Sequence, residues 1–175
     1  MESTTLPSDA TARAVVRHLV ATLAYRAAKV LRDAPAGFGQ TSFGDATRKP
    51  VSIVAHMADL ITWAISVARG GFVWKAEGSA DWSTEVTRFF DNLAALDREL
   101  ASNAADGSIE KLIQGALADA LTHVGQLAML RGMAGAPVRP ESYARAEIVA
   151  GRVGIDQAPP GREFDGDASA PASHS

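Results

Sequence analysis

Apolar residues recur along this chain at intervals of three and four, in four separate stretches, which predicts helices rather than strands. From Ser8 to about Arg32 the stripe is Val16, Leu19, Val20, Leu23, Ala27, Val30 and Leu31, with Ser8 as the expected cap. A second helix is expected from Pro50, a residue suited to the first helical position, through Ile53, Val54, Met57, Leu60, Ile61, Ala64, Ile65 and Ala68. Gly70 and Gly71 end it. Trp82, Val86, Phe89, Leu93, Leu96 and Leu100 form the most regular stripe, with Arg88, Asp91, Asp97 and Arg98 interleaved. The fourth begins near Ser108 and carries Leu112, Ala116, Leu117, Ala120, Leu121, Val124, Leu127 and Leu130 to a stop at Gly135 and Pro137.

The stretches between these helices are unequal. Asp33 to Lys49 holds Pro35, Gly37, Gly39 and Gly44, too many breakers for periodic structure, and is long for a bundle connection, so it reads as a crossover loop. Pro140 to about Val153 is expected to form a short fifth helix. Gln157 to Ser175 is rich in Pro, Gly, Ala, Ser and Asp and reads as a disordered tail. The fold class is therefore all-α: a four-helix bundle domain over residues 1–156, with a long first crossover loop, a short C-terminal helix and a tail over 157–175.

Composition narrows the chemistry more than the fold. A chain of 175 residues suits one domain that folds without a structural metal. Its 17 basic and 20 acidic residues give a formal net charge of -3 with no clustered Lys and Arg, which argues against nucleic acid as a partner. With no cysteine there is no thiolate nucleophile, zinc ribbon or disulfide, and His, Asp and Glu remain as metal ligands. Met1 to Pro7 carries no basic region before an apolar run, and no later segment offers some 18 uncharged apolar residues, so a cytoplasmic protein without membrane contact is expected.

Against that background Asp119 and His123 stand out, four residues apart in the fourth helical pattern and so on one helix face. Asp119 follows Leu112 by seven residues and His123 precedes Leu130 by seven, so both are expected to face inward, where a carboxylate must be paired or metal-bound. His56 lies in an equally apolar segment, Ile53 to Leu60. Two imidazoles and one carboxylate from two helices form a ligand set for one divalent ion, Zn, Ni, Fe or Mn. Taken alone, His123 reads as a core histidine hydrogen-bonded to Asp119.

Five further residues are candidates beside that ion. Asp59, three residues after His56, is a fourth ligand, an acceptor for the His56 ring, or a surface carboxylate. Trp63 lies seven residues after His56 and either walls a pocket or belongs to the core. Gln126 hydrogen-bonds a ligand or braces the helix, and Tyr143 with Arg145 could close the pocket from the C-terminal side. The helical metalloprotease signature fails because His56 is followed by Met57 and Asp119 by Ala120. The paired Glu-x-x-His motifs of di-iron bundles, a Gly-rich phosphate loop and a nucleophile elbow are all missing.

In three places the chain resembles the DinB superfamily. They are His56 followed by Trp63; Asp119, His123, Gly125 and Gln126; and Leu130-Arg131-Gly132 followed by Gly135 and Pro137. The resemblance spans about Ser8 to Val153 and implies a four-helix bundle with a metal site lined by three ligands, Asp119 standing where the family usually has His. It also implies a bacterial-type thiol-dependent S-transferase or isomerase, acting on a small-molecule substrate with a low-molecular-weight thiol, and pairing as a homodimer. The alternatives are a non-catalytic metal-stabilised bundle or interaction module, and a metal-dependent hydrolase with Asp59 as base.

Overall fold

The computed structural model describes residues 9–102 and 107–164, so the expected cap Ser8 and residues 165–175 of the expected tail lie outside it. Each of the four stripes becomes a helical rod. The first three are α1 (Asp9–Leu31), α2 (Pro50–Ala68) and α3 (Trp82–Ala101). The fourth rod is composite: a short α4 (Ile109–Lys111) runs through a π-helical stretch (Leu112–Leu117) into α5 (Ala118–Met133).

The ends follow from local chemistry. Pro50 opens α2 with a fixed backbone angle and no N–H to satisfy. The Asp81 carboxylate accepts the Thr84 N–H at 2.7 Å to cap α3, and the Ser108 hydroxyl accepts the Lys111 N–H at 3.3 Å to cap α4. Arg131 is buried, and its guanidinium donates to the carbonyls of Val30 at 2.8 Å and Ala136 at 2.9 Å, joining the end of α1 to the end of α5.

Packing explains the crossover. α1 lies against α3 and α5, and α2 lies against the same two, which puts α1 and α2 at opposite corners of the bundle. Residues 32–49 make that diagonal passage, with one 3₁₀ turn at Phe38–Gln40. The core between the rods contains Leu23, Met57, Phe89, Leu96 and Leu127, all fully buried. Each such side chain contributes roughly 1.5–3 kcal/mol by leaving water. Among the described residues only α2 is long and apolar enough to cross a membrane, and 67% of that window is buried inside the bundle, where its apolarity serves the core.

Two expectations change. The segment expected as a fifth helix, Pro140 to Val153, contains only a 3₁₀ turn, Tyr143–Arg145. Its backbone pairs elsewhere: Ser142 N–H donates to Arg162 O at 3.0 Å and Phe164 N–H to Pro140 O at 2.9 Å. Residues 161–164, placed with the tail by composition, thus run back beside 140–142. Buried Glu141 fastens this segment to α1 by accepting from Tyr25 and Lys29, each at 2.7 Å.

Candidate metal centre

α2 and α5 pack side by side, and their facing surfaces bring His56, Asp119 and His123 together. One ligand atom from each lies within 4.8 Å of the other two. Asp119 sits between the rings, with Oδ1 3.4 Å from His123 Nε2 and Oδ2 3.6 Å from His56 Nε2. These separations exceed the 2.7–3.2 Å of a good hydrogen bond. Each, taken to its own carboxylate oxygen, is close to the ligand–ligand spacing of about 3.4 Å that bonds near 2.1 Å give around a Zn-like ion. The donor set fits a divalent ion: two imidazoles, and a carboxylate that neutralises one of its charges.

Each ring is held from behind. His123 Nδ1 lies 2.8 Å from Gln126 Oε1, an acceptor, so in the tautomer that carries its proton on Nδ1 the free Nε2 faces Asp119. An outer hydrogen bond of this kind fixes tautomer and orientation in metal-binding histidines. His56 meets the His123 ring edge-on at 5.0 Å, and Trp74, from the α2–α3 connection, lies against it at 5.8 Å. Burial holds the His56 imidazolium below its ordinary pKa of 6.5, aided by the neighbouring charges of His123 and Arg48 and opposed by Asp119. A neutral imidazole at neutral pH is the form that binds metal.

The burial of the three residues is unequal. His123 is 8% exposed, facing inward as its spacing from Leu130 predicts. Asp119 contradicts the inward reading, with its side chain 47% exposed. The π-helical stretch is the reason: Leu112 to Asp119 spans Leu112–Leu117, and a π turn holds about one residue more than an α turn, so the seven-residue register slips. Gly115 in that stretch lets Trp63 approach, since a Cβ there would lie 2.9 Å from the indole.

A cleft of about 570 Å³ opens onto the three ligand residues. Ala46, Thr47 and Arg48 from the end of the crossover loop form one wall, and Gln126, Met129 and Leu130 of α5 form the other. The remaining candidates lie elsewhere. Trp63 is not on the cleft; it packs on Phe72 at 5.2 Å and on Trp74 at 6.5 Å, so it backs the indole that touches His56. Asp59 is buried, not on the helix surface, and is taken up by Arg88 at 2.7 Å and the Glu77 N–H at 3.2 Å. Tyr143 packs edge-on against Tyr25 of α1, under Arg26, and neither it nor Arg145 reaches the cleft.

Sequence reading missed Arg48 and Trp74. Both lie in connections, where no periodicity indicates which way a side chain faces. Comparison of the chain with family models, curated proteins and solved structures gave no match. The site is therefore described by its own geometry: two imidazoles and a carboxylate, spaced as ligands and open to a cleft, make a candidate centre for one divalent ion.

Proposed function

We propose that this chain is a DinB-like divalent-metal protein in which His56, Asp119 and His123 hold one ion, and that it carries out thiol-dependent group transfer or isomerisation. The observation that carries the reading is the convergence of His56, Asp119 and His123, one ligand atom of each within 4.8 Å of the other two, with Asp119 facing a ring nitrogen on either side. A divalent ion there supplies Lewis acidity, lowering the pKa of a bound water or thiol. His123, oriented by Gln126, and His56, backed by Trp74, hold the two imidazole positions, while half-exposed Asp119 offsets charge at the cleft mouth.

The open cleft favours a catalytic centre over a purely structural one, because a closed site would surround the ion with protein ligands. With no cysteine in the chain, the thiol comes from a cosubstrate. The hydrolytic alternative loses its base, since Asp59 is buried and ion-paired to Arg88.

Co(II) reports on this directly. Adding N-acetylcysteine to Co(II)-loaded protein is expected to produce a near-ultraviolet sulfur-to-cobalt charge-transfer band that His123→Ala lacks. Bound Co(II) without that band would contradict thiol use and leave the metal site standing.

A further inference from the structure

Among the described residues the cleft wall carries one cation, Arg48, which is not paired as the cations that brace the bundle are. Arg17 is paired with Asp97, Lys29 with Glu141, and Arg88 with Asp59 and Glu85. Arg48 is exposed and makes no side-chain hydrogen bond or ion pair among the described residues. Among the described residues the single carboxylate on the cleft wall is Asp119, which the metal reading assigns to the ion.

Charge and shape then define a ligand. Two charges from the ion and one from Arg48, against one from Asp119, leave the cleft with a net charge of about +2 when both imidazoles are neutral. Met129, 61% exposed, gives the same cleft an apolar surface, with the buried Ile53 and Leu130 beneath it. At about 570 Å³ the space suits a small molecule. Guanidinium presents a planar fork that matches a carboxylate in two parallel hydrogen bonds.

Building on the metal reading above, we infer that the substrate is a small organic carboxylate, its carboxylate held by Arg48, its apolar part lying along Met129, and its reacting end at the ion. Arg48 is thus a specificity residue that the crossover loop delivers to the site from outside the four helices.

The test uses Zn-loaded full-length protein titrated calorimetrically with phenylacetate and with its neutral counterpart phenylacetamide, in wild type, Arg48→Gln and Arg48→Lys. Zn stoichiometry is measured first in all three, and one equivalent is expected in each. Wild type is expected to prefer phenylacetate by at least about tenfold, Arg48→Lys to keep part of that preference, and Arg48→Gln to lose it. An undiminished preference in Arg48→Gln, or none in wild type with Zn bound, overturns the inference and leaves the metal centre intact. Absence of Zn from the wild type is a separate result: it removes the metal reading, and this inference with it.

Discussion

Two polar clusters sit one turn apart on α2, and their contrast shows how a ligand site differs from a structural network. Asp59 and Arg88 form the first, with Glu85: the guanidinium donates to Asp59 at 2.7 Å, to Glu85 at 2.8 Å and to the Ala55 carbonyl at 3.0 Å, while Glu85 accepts the Ser79 N–H at 2.6 Å. Burial alone would push the Glu85 carboxyl up, but the Ser79 N–H and Arg88 outweigh it and hold it below its ordinary value. His56 belongs to the second cluster, where Asp119 faces two ring nitrogens across 3.4 and 3.6 Å and a cleft lies open beside them. The first cluster is saturated internally. The second presents acceptors converging on an accessible point, which is what a cation requires.

Arg88→Ala breaks the saturated cluster and should have the largest effect on folding. It leaves Asp59 and Glu85 buried without their cation, a loss of roughly 3–5 kcal/mol. Urea denaturation checks this, and metal content per folded molecule should not change. A loss below about 1 kcal/mol would mean that the network is merely a solvated ion pair.

His123→Ala should do the reverse. Metal affinity is expected to fall by more than about 100-fold, beyond what loss of an outer partner costs. Metal-free stability should change by no more than about 1–2 kcal/mol. Titration with Zn and denaturation in chelator measure the two separately.

Gln126→Leu is expected to act on the same site more weakly. Loss of the acceptor for His123 Nδ1 should reduce metal affinity by roughly 10- to 100-fold with one equivalent still bound at saturation. No change in affinity would make Gln126 a brace for α5 alone.

The smallest expected effects are in pH dependence, and they separate the two clusters by window. His56 has a folded pKa below its unfolded 6.5, so the unfolded chain binds its proton first, and metal-free stability falls as pH drops below about 6.5. Glu85 has a folded pKa below 4.5, so its contribution is present above 4.5 and lost as pH falls through the folded value. Replacing His56 by Gln should remove the first slope and leave the second. A single slope confined to acid pH in both proteins would contradict the assignment of His56 as a desolvated neutral ring.

The bundle was legible because burial repeats with the α period: stripes such as Trp82 to Leu100 could face only one core. The candidate ligands were legible for the same reason, since His56 and His123 interrupt stripes of that period. Asp119 was misjudged in orientation because the π-helical stretch, which changes the phase between Leu112 and Asp119, leaves no signature in the spacing of apolar residues. None of the three roles open to Asp59 is the one it has, because its partner, Arg88, lies 29 positions away on another helix. Arg48 and Trp74 were invisible, since loop side chains are placed by tertiary packing and not by periodicity.

The most direct measurement of the central claim is metal content by elemental mass spectrometry on Zn-loaded, desalted protein, comparing wild type with His123→Ala. Close to one Zn per chain is expected in the wild type and only trace metal in the variant, with both folded by circular dichroism. Equal Zn in the two proteins, or none in either, would contradict that claim and reduce His56, Asp119 and His123 to a polar cluster with no ion to hold.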